Sequence, residues 1–149
     1  MSSAVKPLIG EVLPREAWDV LGTTPNAVLV DVRTRAEWAF VGVPDLTALN
    51  RPLLQVEWAQ LPDMSMNPHF VGEVMEQLGD MVPEKLLFLC RSGVRSLRAA
   101  EAVQAHLASI DQNGICLNVT SGFEGDLNED RHRGAKNGWK VEGLAWRQS

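Results

Sequence analysis

Two blocks of the chain are apolar almost without interruption: AVLV at residues 27–30 and LLFLC at residues 86–90. Neither alternates with polar residues, so each predicts a strand buried on both faces, as in a parallel sheet. The first, AVLVDVR over 27–33, ends in the charges Asp31 and Arg33. Three stretches have helical spacing instead. LPREAWDVLG (13–22) has Pro14 suited to a first turn and Gly22 suited to a stop. HFVGEVMEQLG (69–79) repeats Phe70, Val74 and Leu78, with Val71 and Met75 beside them and Gly79 at the end. SLRAAEAVQAHLASI (96–110) aligns Leu97, Ala100, Val103 (or Gln104) and Leu107 on one face. A shorter helix is expected at TRAEWAF (34–40), where Thr34 and Glu37 have capping-box spacing. GEV (10–12) reads as a short edge strand and GICLNVTSG (114–122) as a further β-rich run. The middle, VPDLTALNRPLL (43–54), reads as mostly loop with room for one short strand, and 62–68 as irregular. Strands alternating with helices imply an α/β fold around a mainly parallel sheet flanked by helices.

At 149 residues the chain is expected to form one domain, with residues 1–9 as a loose tail. A net charge of −5 argues against nonspecific binding to nucleic acid or anionic membrane. No apolar run approaches the ~20 residues needed to span a bilayer. Charged residues break up any signal-like segment near the start, so a cytoplasmic location is expected. Cys90 and Cys116 are not expected to pair. His69, His106 and His132 are scattered, so no metal site and no cofactor are expected.

The chemistry concentrates at Cys90. It stands at the end of a buried strand, and ligands in open α/β sheets sit beyond such ends. The residues that follow, Arg91, Ser92, Gly93, Val94, Arg95 and Ser96, turn into the best helix of the chain. Gly93 can supply a positive φ for the turn. A curved run of N–H groups and the helix N-terminus together favour an anion, and Arg91, Arg95 and Arg98 add charge. The same setting is expected to lower the pKa of the Cys90 thiol and make it a thiolate nucleophile without a histidine base. Cys116, in GICLNV, has no basic neighbours and reads as a packing residue.

CRSGVRS after LLFL closely resembles the active-site loop of rhodanese (sulfurtransferase) domains. VLVDVRTRAEW (28–38) looks like that family's early strand and Asp-Val-Arg segment. NVTSGFEG (118–125) resembles its last strand and glycine-rich turn, and GWKVEGLAWRQ (138–148) the tail of its single-domain members. The resemblance implies a rhodanese-like, five-stranded sheet and transfer of sulfane sulfur, as in a thiosulfate:cyanide-type sulfurtransferase. Cys90 would become a persulfide, with the loop from Arg91 to Ser96 as substrate cradle. The partners would be a small anionic sulfur donor and a thiol acceptor, either of which a protein could carry. One departure is Gly42, which stands where members often have a histidine; the segment after it runs longer and is free to reshape the pocket rim or bind a partner.

Asp31 and Arg33 are candidates for the pocket wall; an ion pair or cap that orients the segment is the preferred reading, Arg33 pairing with Asp31 or Glu37. The five tryptophans read as core or rim, Trp58 as packing. Two other functions compete. A cysteine phosphatase or arsenate reductase needs five residues between Cys and Arg to encircle a tetrahedral oxyanion, whereas four separate Cys90 from Arg95. A non-catalytic binding module of the same fold would have little need to keep the cysteine.

Overall fold

The computed structural model describes residues 8–148. Most of the expected loose tail lies outside them; within them Leu8 is exposed and Ile9 already packs against the core. The chain runs β1 (Gly10–Val12), α1 (Pro14–Thr23), β2 (Ala27–Asp31), α2 (Arg35–Phe40), β3 (Val43–Pro44), a 3-10 turn (Thr47–Leu49), β4 (Leu53–Gln55), β5 (Ala59–Gln60), β6 (Ser65–Met66), α3 (Phe70–Leu78), β7 (Lys85–Leu89), α4 (Val94–Ser109), β8 (Ile115–Val119) and β9 (Trp146–Arg147). Five strands form the main sheet in the order β1-β8-β7-β2-β4, and every neighbouring pair is parallel.

The two apolar blocks are the inner strands β2 and β7. Their side chains divide by the period-2 rule. Val28, Val30, Leu86, Phe88 and Cys90 face a core completed by α3 and α4, while Ala27, Leu29, Leu87 and Leu89 face α1 and the C-terminal segment around Phe123 and Trp139. Both faces are covered, so continuous hydrophobicity was the right signature. Helix α3 buries Phe70, Val74 and Leu78, as their spacing predicts. In α4 the buried face is Ser96, Ala99, Ala100, Val103 and Leu107, and Leu97 is only half-buried. The expected stripe holds at Ala100, Val103 and Leu107, while in the first turns Ser96 and Ala99 take the buried side in place of Leu97.

The middle of the chain is more ordered than its prolines suggest. β4 joins the edge of the main sheet beside β2. β5 and β6 form a small antiparallel hairpin within and before the stretch expected to be irregular. β3 pairs with β9, so the polar C-terminal segment returns to the middle of the chain. Gly42, with φ +111, sits under that return, and a Cβ there would lie 2.8 Å from the Trp146 ring. A histidine at this position would need the ring's space. Trp58 packs edge-on to Phe70 with centroids 5.1 Å apart, and Trp18 likewise meets Trp139 at 6.0 Å.

At the end of β2, Arg33 folds back on Asp31. Its Nε donates to Oδ1 at 2.9 Å and its Nη2 to Oδ2 at 2.6 Å; Nη2 also donates to the Gly42 carbonyl at 2.7 Å. Both side chains have no exposed surface, and the guanidinium lies 4.3 Å above the Phe123 ring. The pair ties β2, the Gly42 turn and the C-terminal segment together. Removing one partner of a buried pair strands the other's charge, at a cost of ~3–5 kcal/mol. Arg33→Met is accordingly expected to lower the unfolding free energy in urea by that amount, and an unchanged midpoint would contradict the coupling.

Candidate active site

Cys90 follows β7 directly, and the loop it opens is clamped from behind. The Cys90 carbonyl accepts from Phe123 N–H at 2.8 Å, and the Arg91 carbonyl accepts from the N–H groups of Glu124 and Gly125, both at 3.1 Å. This contact needs Gly122, whose φ is +63 and where a Cβ would come within 2.5 Å of the Cys90 oxygen. With its carbonyls held behind, the loop turns through Gly93, whose φ of +114 is left-handed. Gly93 then donates its N–H to Cys90 Sγ at 3.1 Å and begins α4. The first N–H groups of α4 have no acceptor within the helix, and its positive end lies next to the sulfur.

Ser96 Oγ lies 3.2 Å from Sγ on the other side. Its hydroxyl donates to Asn118 Oδ1 at 2.5 Å, while Asn118 Nδ2 donates to the Gly93 carbonyl at 3.1 Å and to Glu11 Oε2 at 3.4 Å. Asn118 was not singled out from the sequence. The available signal was a polar residue inside the apolar strand ICLNV, which must find a partner if buried.

The arginines divide. Arg95 was expected to face a bound anion. Instead its Nη1 and Nη2 donate to both oxygens of Glu37, at 2.7 and 2.9 Å, so its charge is compensated. Glu37 remains the capping-box residue of α2 and also accepts from Thr34 N–H and Oγ at 3.1 Å. Arg91 is exposed at the mouth and makes no ion pair among the described residues. Arg98 reaches Glu101 on the surface of α4. Cys90, Arg91, Ser92, Val94 and Arg95 line an open cavity of about 320 Å³. The sulfur forms its floor, since Cys90 is 1% exposed, and Val94 stands at the rim, 69% exposed. Asp31 and Arg33 do not line this cavity; their buried pair supports the segment that carries α2.

Cys116 is a packing residue. Burial pushes its thiol up to about 12. It pairs in register with Leu86, four residues before Cys90, which places the two cysteines about 13 Å apart along the strands. That is too far for a disulfide. No three His, Cys, Asp or Glu side chains are grouped to hold a metal among the described residues. No helix of the described chain is long and apolar enough to cross a membrane.

No family model matches the chain. A Rickettsia rickettsii protein, "Uncharacterized protein RP600 homolog", is 35% identical over 138 residues, 93% of this chain and 97% of the relative. The chain belongs to the RP600 family. Rv0390 from M. tuberculosis, of known crystal structure, is 42% identical with a TM-score of 0.79, covering 96% of this chain and 100% of its own. More distant structures share the fold at 16% identity. The polysulfide-sulfur transferase homodimer from Wolinella succinogenes has a TM-score of 0.59, over 95% of this chain and 80% of its own. A Rhodopseudomonas palustris protein of unknown function, described as a "possible tyrosine phosphatase", has a TM-score of 0.52, over 93% and 85%. This RP600-family chain thus shares the fold of the Wolinella polysulfide-sulfur transferase, with five parallel strands between helices.

The Glu37–Arg95 link has a pH signature. Burial alone would raise the Glu37 pKa, but the bonds from Arg95 and Thr34 outweigh it and bring it from 4.5 to about 2. A carboxyl depressed in the folded state stabilises fully above its unfolded pKa and loses that contribution as pH falls through the folded one. Thermal stability is expected to drop between pH 4.5 and about 2. Glu37→Gln is expected to flatten that slope; an unchanged slope would assign the acid sensitivity to other groups.

Proposed function

We propose that the protein is a sulfurtransferase that carries sulfane sulfur on Cys90. The observation that carries this reading is the short loop. Four residues separate Cys90 from Arg95, and Gly93 N–H already points at Sγ at 3.1 Å. A ring this tight suits one added sulfur atom on Cys90 better than a tetrahedral oxyanion. The Arg95 guanidinium, which a phosphatase would turn to its phosphate, is occupied by Glu37.

In the proposed reaction the Cys90 thiolate attacks the outer sulfur of a donor such as thiosulfate. The donor's S–S bond breaks and sulfite leaves with the electron pair, giving a Cys90 persulfide. Gly93 N–H and the α4 N-terminus stabilise charge on the sulfurs. Arg91, exposed at the mouth, stabilises the anionic donor and leaving group. An acceptor thiolate or cyanide then attacks the outer sulfur and returns the Cys90 thiolate. No external oxidant or reductant is required. The open rim, with Val94 exposed, also suits a donor or acceptor thiol carried on a protein.

Intact mass after incubation with thiosulfate tests this reading. One added sulfur atom is expected, removable by cyanide and absent in Cys90→Ser. If neither thiosulfate nor a persulfide donor adds sulfur while an aryl phosphate is turned over, the phosphatase reading takes its place. An inert protein would point to a binding module.

A further inference from the structure

We propose that Asn118 is a positioning residue that sets, through Ser96, how well the site supports the charged form of Cys90. Asn118 is 2% exposed and Ser96 has no exposed surface, so neither can exchange its partner for water. The Asn118 amide is oriented by its donor side, Nδ2 facing the Gly93 carbonyl and the Glu11 carboxylate. That leaves Oδ1 toward Ser96, whose only hydroxyl proton it receives. Ser96 therefore presents a lone pair to Cys90, which matches a thiol donating its S–H. When the proton leaves sulfur, the Ser96 hydroxyl must turn to it and abandon Asn118. One proton thus serves two acceptors, and Asn118 competes with the sulfur for it.

The charges around Cys90 come from several elements. Arg91 is on the loop, Arg95 is on α4 against Glu37 on α2, the Asp31–Arg33 pair sits at the end of β2, and Glu11 on β1 lies beyond Asn118. None of these touches the Ser96 hydroxyl in the hydrogen-bond network. Among the described residues, Asn118 alone bridges it to the Gly93 carbonyl, at the residue whose N–H holds Sγ.

The inference rests on the sulfurtransferase reading only for its consequence in turnover; its test does not. The probe is the alkylation rate of Cys90 by iodoacetamide across pH, located by peptide mass. Asn118→Asp puts a stronger, charged acceptor beside Ser96, and is expected to move the titration midpoint upward and slow alkylation at neutral pH about tenfold. Asn118→Ala removes the competitor, and is expected to move the midpoint downward. Adding Ser96→Ala to Asn118→Ala is expected to abolish that downward movement, since the shift runs through the hydroxyl. Movement of both single variants in one direction, or of neither, would overturn the role and leave Asn118 as a strut. Should Asn118→Asp lack a native near-UV spectrum, the alanine variant and its double decide alone, a downward shift that survives Ser96→Ala counting against the role. Thiosulfate loading on the same samples separates the two claims. Opposite shifts without sulfur uptake would sink the transferase reading and keep this one, and uptake without opposite shifts would do the reverse.

Discussion

The site depends on a clamp applied to its back. The carbonyls of Cys90 and Arg91 are taken by the N–H groups of Phe123, Glu124 and Gly125. A peptide unit held by its oxygen on one side presents its N–H to the other. The loop can then curl about the sulfur, and the turn that holds it must carry glycine at 122, where no side chain fits. The front of the site is built from the loop, but its orientation is imposed by a segment some thirty residues further along the chain, laid beneath it by β8.

Around the cysteine, charge is arranged in two buried or half-buried pairs, and Arg91 makes no ion pair among the described residues. Asp31 and Arg33 neutralise each other in the interior, where an unpaired charge would be costly. Arg95 and Glu37 neutralise each other at the wall and bolt α4 to α2. This leaves Arg91 to carry positive charge at the mouth, with backbone N–H groups and the helix end supplying the rest.

The same economy shapes the less regular segments. The return of the C-terminal strand β9 to β3 brings Trp146 over Gly42 and Lys140 within 3.9 Å of its ring, while Trp139 fills the α1 side of the sheet. A C-terminal segment rich in polar residues and glycine is anchored by two tryptophans. The hairpin at 59–66 is similarly invisible to pattern, because two-residue strands carry no measurable period.

The buried strands, the three longer helices, Cys90 at a strand end, the positive φ of Gly93 and the count of four to Arg95 were all legible in the chain. They are consequences of near neighbours: side-chain period, turn chemistry and spacing act over a few residues. The partners of the site were not. Glu37 reaches Arg95 across 58 positions and Asn118 reaches Ser96 across 22, and each has a sufficient local explanation of its own, as a helix cap or a strand residue. Parallel strands need long crossovers, so residues that meet at one end of the sheet come from distant parts of the chain, and only their packing decides which arginine is paired and which stands exposed at the mouth.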